Sequence, residues 1–164
     1  RYADVLLWYA EALNELNPGA QYTIPSWDGK QSYTITRDEE EMHYAIKRVR
    51  LRAGLPDYDT DVYQNQKTFR QKLKHERQIE FFAENSRYFD LRRWKDAQEE
   101  ESMPITGCNI YMSETARDYF HTQVTLSDIP TTFNRKMYFW PISKNELNKN
   151  FRMTQNPGWK SYDQ

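Results

Sequence analysis

The sequence has little cysteine, no long apolar run and no excess of charge of one sign, three features that often indicate the class of a protein. It has one cysteine, Cys108, in 164 residues, so a disulfide within the chain is excluded and cysteine content does not indicate the compartment. No apolar run approaches the roughly 20 residues of a membrane-spanning helix. Charge of neither sign is in excess, since 23 Lys and Arg face 24 Asp and Glu. This balance gives no overall field that would draw the chain to nucleic acid or anionic lipid.

The signatures of common active sites are also missing. The segment His75–Ile79 begins like the zinc motif HExxH, but Ile79 stands where the second histidine should be. His43 and His121 have no neighbouring ligand, and Cys108 is in no activated-cysteine pattern. No phosphate-binding loop or nucleophile elbow is present. We therefore predict no catalytic residue, no metal site and no cofactor.

The chain begins at Arg1 without an initiator methionine, a signal sequence or a lipid-attachment cysteine. Its length fits one domain with a real core. Because Arg1 falls at the edge of a predicted helix, we expect residues 1–164 to be a piece of a longer protein.

Apolar residues recur with helical spacing in four segments, which predict helices over residues 2–17, 36–53, 65–85 and 87–95. The second helix is predicted to begin at a capping box starting at Thr36. The spacing places these residues on buried faces: Val5, Leu6, Trp8, Tyr9, Ala12, Leu13, Leu16, Met42, Ala45, Ile46, Val49, Ala53, Phe69, Leu73, Ile79, Phe82 and Ala83.

Later in the chain the pattern shifts towards alternation. It predicts short strands over Ile105–Tyr111, Tyr119–Leu126 and Lys136–Trp140, and then a short helix capped at Ser143. Residues 20–35 and 57–64 are predicted loops. The expected fold class is mainly α, with a few short β-strands and long loops.

The segment Lys74–Lys95 mixes acids and arginines with large aromatic and aliphatic side chains. Glu76 and Glu80 are four residues apart, so their carboxylates lie on one helix face. They could form the acid pair of a retaining glycosidase. We favour a structural role in which Arg87, Arg92 or Arg93 bridges them, because buried charges persist only when paired. The predicted ion network comprises Glu76, Glu80, Arg87, Asp90, Arg92 and Arg93.

Two other patterns have competing interpretations. The basic segment Lys47–Arg52 could bind phosphate groups, but its charges spread around the helix and acids at residues 38–41 offset them, which favours a solvated or ion-paired face. Loop aromatics could stack on sugar rings while nearby carboxylates bind the hydroxyl groups, or they could cover the core. The candidate ligand-binding residues are Trp27, Asp28, Tyr33, Tyr58 and Tyr63.

Five segments, in the right order, resemble the SusD/RagB family. The first two are YAEALNE at Tyr9–Glu15 and the helix end AIKRVRLRAGLP at Ala45–Pro56. The others are the mixed segment Lys74–Lys95, the segment Met137–Leu147 and the segment TQNPGW at Thr154–Trp159. The sequence departs from the family pattern at residues 83–87, where glycine is frequent before the arginine, and in a longer loop at residues 18–36.

The resemblance implies a SusD-like α-helical fold and the C-terminal region of an outer-membrane lipoprotein. Such proteins capture glycans at the bacterial cell surface, act as lids on a SusC-like TonB-dependent transporter and are not known for catalysis. It also implies an absent N-terminal half with tetratricopeptide-like helix pairs, and a lipid anchor outside this chain. The family segments resemble architecture rather than ligand contacts, so no binding residue transfers by motif.

Three functional hypotheses remain. The first is non-catalytic binding of a polysaccharide or oligosaccharide, with a peptide or another nutrient as the alternative ligand. The second is a scaffold that docks the transporter while the missing half builds the ligand site. The third is a glycosidase that uses Glu76 and Glu80.

Overall fold

The structure, a computed structural model, describes residues 1–109, 123–126 and 131–160. The chain divides into two compact units, Arg1–Arg87 and Tyr88–Gln164. Helices dominate the described residues and strands are few and short, which confirms the mainly α fold class.

The first unit is built from helices with one inserted hairpin. Its elements are α1 (Tyr2–Asn14), β1 (Tyr22–Pro25), β2 (Ser32–Ile35), α2 (Glu39–Arg52), α3 (Thr60–Gln64) and α4 (Gln66–Glu80). Helix α5 (Ser86–Trp94) begins at the end of this unit and continues into the second.

One apolar core joins the helices of the first unit. Fully buried side chains come from α1, α2, α3 and α4, for example Leu7, Ile46, Tyr63 and Phe69. The predicted inward residues that prove buried are Leu6, Leu13, Met42, Ala45, Ile46, Val49, Phe69 and Leu73.

Other inward predictions were wrong. The exposed residues among them are Val5, Trp8, Tyr9, Ala12, Ala53, Ile79, Phe82 and Ala83. In α1 the buried face runs instead through Ala3, Leu7 and Ala10, because α1 is apolar over more of its circumference than the core covers.

The end of α4 also differs from the prediction. The helix stops at Glu80, and a turn follows in which Ala83 and Asn85 adopt positive φ angles of 63° and 60°. This turn places Phe81 in the core and leaves Phe82 83% exposed. Left-handed backbone favours glycine, which explains why glycine is frequent here in the family pattern that the sequence resembles.

The start of α2 and the loop before it need two corrections. The N-cap is Asp38, whose carboxylate accepts a hydrogen bond from the Glu41 amide at 3.0 Å, rather than Thr36. The predicted loop at residues 20–35 contains the antiparallel hairpin β1–β2, in which Tyr22 pairs with Ile35 and Pro25 with Ser32. Four-residue strands are too short to show a clear alternation of polar and apolar residues.

The second unit contains shorter elements. They are α6 (Ala97–Glu100), β3 (Thr106–Cys108), β4 (Gln123–Thr125), a 3-10 helix (Arg135–Tyr138) and α7 (Lys144–Lys149). Strands β3 and β4 pair antiparallel inside two of the predicted strands. The remainder of those predictions, at residues 110–122, lies outside the described residues.

The prediction of a strand over Lys136–Trp140 was wrong. This segment begins as the 3-10 helix and continues as extended chain, because the amide of Met137 bonds to the carbonyl of Asn134 at 2.8 Å. The capped helix that follows is confirmed, since the Ser143 hydroxyl accepts a hydrogen bond from the Glu146 amide at 3.4 Å.

Candidate functional site: an exposed hairpin tip and an aromatic cavity

The tip of the β1–β2 hairpin presents Trp27 to solvent. Its side chain is 99% exposed. A tryptophan in this position is costly to leave in water, because a large apolar ring that remains exposed gains none of the free energy of burial. The ring is therefore available for contact with a ligand or partner.

Hydrogen bonds hold the backbone beneath Trp27. The Ser26 hydroxyl donates to the Asp28 carboxylate at 2.6 Å, and the Lys30 amide donates to the same oxygen at 3.1 Å. The Gln31 amide donates to the Ser26 hydroxyl at 3.0 Å, and Gly29 takes a positive φ of 68° that closes the turn. A tip fixed in this way loses little conformational entropy when a ligand binds.

These hydrogen bonds also set the electrostatics of the tip. The hydrogen bond from Ser26, followed by that from the Lys30 amide, lowers the pKa of Asp28 below its ordinary value. Asp28 is therefore charged at neutral pH, and its carboxylate accepts the hydrogen bonds that stabilise the turn. Tyr33, on β2, is 55% exposed and pairs across the hairpin with Ile24.

Tyr58 and Tyr63 belong to a second cluster, inside the first unit. Tyr63 lies in helix α3 rather than in the predicted loop, and its side chain is only 1% exposed. Its hydroxyl donates to Asp57 at 2.6 Å, while the Tyr58 hydroxyl donates to Glu76 at 2.8 Å. Burial, followed by these carboxylate contacts, raises the pKa of both phenols. Tyr63 is thus a core residue, and ligand contact by Tyr58 stays a prediction.

Glu76 and Glu80 pair with arginines of other segments than the predicted Arg87, Arg92 and Arg93. Glu76 accepts a hydrogen bond from Arg50 of α2 at 2.6 Å. Glu80 accepts from Arg52 of α2 and from Arg1, the latter at 3.1 Å. The two carboxylate side chains are only 5% and 9% exposed, so a substrate has little access to them. The ion pairs connect α4 to distant parts of the chain, which spacing within a single segment does not reveal.

The remaining predicted ion-network residues lie at or after the unit boundary. Arg93 donates to Asp90 at 2.8 Å, one helical turn away. Arg92 donates to Glu101 at 3.0 Å, and its guanidinium stacks 3.4 Å from the centre of the Tyr88 ring. The role of Arg87 in the network stays a prediction.

A cavity in the second unit was not found by sequence reasoning. Its volume is about 360 Å³, and its walls are Tyr88, Arg92, Glu101, Thr132, Phe133, Met137, Phe139, Trp140, Pro141 and Trp159. The sequence signal for this cavity is the density of aromatics around residues 137–141 and at Trp159, which belong to segments that the family resemblance attributes to architecture.

The other candidate chemistries receive no support from the described residues. Within them, no group of three or more His, Cys, Asp or Glu side chains could hold a metal ion. His43 contacts Asp57 at 3.0 Å and stacks on Tyr63, and Cys108 is exposed on β3. His121 lies outside the described residues. No helix in the described part of the chain is long and apolar enough to cross a membrane.

Comparison with known proteins identifies the family. No curated protein sequence matches the chain. A solved structure of BT4246, in selenomethionine form, superposes with a TM-score of 0.69 at 26% identity over 96% of this chain. A SusD-like protein, BF3747 from Bacteroides fragilis, superposes with a TM-score of 0.67 at 27% identity over 97%.

The chain spans only 24% and 25% of the lengths of those two structures. The profile of the SusD family matches residues 1–159, which is nearly the whole sequence. The chain therefore belongs to the SusD family.

Proposed function

We propose that this protein is a non-catalytic binding protein that captures polysaccharides or oligosaccharides at the bacterial outer surface and delivers them to a SusC-like TonB-dependent transporter. The observation that carries the proposal is membership of the SusD family over residues 1–159. We propose further that the chain is the C-terminal region of a longer, lipid-anchored protein with a tetratricopeptide-like N-terminal half. The short share of the matched structures that it spans supports this division.

The hairpin tip supports a carbohydrate ligand. Sugar rings have apolar C–H faces that stack on aromatic rings, and their hydroxyl groups bond to nearby polar atoms. Trp27 offers a fully exposed ring on a turn that hydrogen bonds already hold in place. Tyr33 adds a second exposed ring on the same hairpin.

Catalysis fits the described residues poorly. Glu76 and Glu80, which were the candidate acid pair, are nearly buried and paired with arginines. A glycosidase needs both carboxyl groups at the scissile bond. We therefore propose that these acids stabilise the helices, and that any Glu80→Gln variant leaves ligand binding unchanged.

A scaffold role is the second candidate. The matched structures are about four times as long as this chain, so the ligand site could lie mostly outside it. In that case residues 1–164 position the site and dock the transporter, and the exposed rings of the hairpin contact protein instead of sugar.

Isothermal titration calorimetry with a glycan panel and the full-length protein tests the proposal. We expect binding of at least one oligosaccharide, and we expect Trp27→Ala to weaken it about tenfold, the equivalent of losing one stacked ring. Phe82→Ala is the matched control, because Phe82 is an 83% exposed ring outside the hairpin. It should leave the affinity unchanged.

Two outcomes would change the assignment. Binding of peptides with no response to any oligosaccharide would overturn the glycan ligand. Unchanged glycan affinity in Trp27→Ala and Tyr33→Ala, together with impaired assembly with the transporter, would favour the scaffold role.

A further inference from the structure

The second unit contains two adjoining cavities that neither the sequence analysis nor family membership assigns to a ligand. Their volumes are about 360 Å³ and about 720 Å³. Arg92 and Phe139 line both, so the two cavities meet at these side chains. Both volumes fall in the range of roughly 300–1,000 Å³ found for small-molecule sites.

The smaller cavity has aromatic walls whose rings are held in place. The Trp140 indole N–H donates to the Tyr88 hydroxyl at 2.9 Å. The Trp159 indole N–H donates to the carbonyl of Phe139 at 3.0 Å. The N–H group of each indole is therefore already hydrogen-bonded within the protein, while the Trp140 side chain remains 75% exposed. A fixed, exposed ring is suited to stacking rather than to hydrogen bonding.

The polar side of this cavity is electrically balanced. Arg92 donates to the Glu101 carboxylate and to the Tyr88 carbonyl, both at 3.0 Å. The ion pair carries no net charge, and the buried Nε of Arg92 has no hydrogen-bond partner among the described residues. The pair can therefore bond to hydroxyl groups without demanding a charged ligand.

The larger cavity is cationic. Lys95 and Arg135 line it together with Gln98 and Tyr138. Neither Lys95 nor Arg135 pairs with an acid among residues 1–109, 123–126 and 131–160. The Tyr138 hydroxyl is buried and has no hydrogen-bond partner within the described part of the chain. Two cations that pair with no acid of the described residues give this cavity a surface that attracts an anion.

We propose that the second unit binds an acidic sugar. Its pyranose ring would stack in the aromatic cavity, and its carboxylate or sulfate group would occupy the cationic cavity beside Lys95 and Arg135. The proposal rests on the proposed function only in taking a sugar as the ligand, because it concerns residues other than those of the hairpin.

Three probes that share one ring separate the contributions. They are methyl glucopyranoside, methyl glucuronide and methyl glucopyranoside 6-sulfate, with inorganic sulfate as the bare anion. The full-length protein is labelled with 5-fluorotryptophan, and its ¹⁹F resonances are assigned by single Trp→Phe substitutions. We expect saturable shifts of the Trp140 and Trp159 resonances. At least one acidic probe should bind about tenfold more tightly than the neutral one, and added salt should reduce only this advantage.

Variants assign the preference to the cavities. Arg135→Gln should remove most of the advantage of the acidic probe and leave the neutral affinity unchanged. Arg152→Gln is the control, because Arg152 carries the same charge in the same unit and does not line either cavity. Trp140→Phe keeps a stacking ring, so it should lower the affinity for every sugar probe less than Trp140→Ala does. Phe151→Ala removes an 81% exposed ring outside the cavities and should have no effect.

Several results would overturn the proposal. Equal affinity for neutral and acidic probes contradicts the anion site. An equal loss of the acidic probe's affinity advantage in Arg135→Gln and Arg152→Gln contradicts it as well. Inorganic sulfate binding as tightly as the sulfated sugar contradicts the role of the ring. Tighter binding of N-acetyltyrosinamide than of any sugar would assign the aromatic cavity to a peptide.

The same ¹⁹F experiment distinguishes failure of the hairpin site from failure of the acidic-sugar site. A shift of the Trp27 resonance alone would support the hairpin site and refute the acidic-sugar site. Shifts of Trp140 and Trp159 alone would do the reverse.

Discussion

The two units of the chain differ in how much apolar core supports their aromatic residues. In the first unit, fourteen buried apolar residues form one core, and rings such as Tyr63 and Phe69 pack inside it. In the second, the buried cluster among the described residues has three members: Leu91, Ala97 and Phe133. Large rings there stand at the surface, as Trp140 does.

What holds the second unit is correspondingly different. The Gln155 side chain bonds to both the amide and the carbonyl of Ile142, at 2.8 and 2.9 Å. The Asn156 side chain donates to the carbonyl of Trp140 at 2.6 Å. These contacts constrain the chain in a unit whose described apolar cluster is small. The comparison teaches that a unit held by polar clamps can keep its aromatic rings available for a ligand.

The largest effect should come from the core of the first unit. Phe69 is fully buried, with its ring 5.3 Å from that of Tyr63. We expect Phe69→Ala to lower the free energy of unfolding by about 4 kcal/mol, because it removes apolar contacts and leaves a cavity. Urea denaturation measures this, with the exposed Phe82→Ala as control. A loss below about 1 kcal/mol would contradict the assigned core.

The second largest loss of stability should come from breaking the buried ion pair between Arg50 and Glu76. Arg50→Ala leaves Glu76 with its hydrogen bond from Tyr58 but without a countercharge. We expect a loss of about 3 kcal/mol in the free energy of unfolding, as for breaking a buried pair. The control is Arg70→Ala, since Arg70 binds Glu15 at 2.6 Å with both side chains substantially exposed. That surface pair should contribute under about 1 kcal/mol. Equal losses in the two variants would show that burial does not matter here.

The smallest effect should come from the clamp of the second unit. Gln155→Ala removes both hydrogen bonds to Ile142, so we expect a loss of about 1–2 kcal/mol. Increased proteolysis near Trp140, measured by mass spectrometry, should accompany it. Gln71→Ala on the exposed face of α4 is the control. No difference between the two variants would indicate that burial, rather than the clamp, holds this segment.

The sequence predicted the helices better than the surfaces. Periodicity located α2 and the buried residues Met42 and Ile46, because one face of a helix repeats regularly along the chain. It misassigned Trp8 and Phe82, since hydrophobicity alone does not reveal which rings the core covers. The turn at Ala83 and Asn85 determines the exposure of Phe82, and this turn depends on backbone angles that periodicity does not encode.

The sites required information from distant parts of the chain. Trp27 and Asp28 could be selected because they are adjacent, and the structure places them in one turn. The partners of Glu76 and Glu80 came from α2, which no local spacing indicates. The aromatic cavity brings Tyr88 together with Trp159, more than seventy residues later. Residues so far apart in sequence meet only through the fold.

The central claim is that ligands bind at the exposed rings and not at the buried acids. Hydrogen–deuterium exchange of the full-length protein, with and without a bound oligosaccharide, tests it most directly. We predict slower exchange in peptides covering residues 22–35 or 135–159, with the core helices α2 and α4 unchanged. Protection confined to α4 around Glu76 and Glu80, or no protection in either predicted segment while the oligosaccharide is bound, would contradict the account.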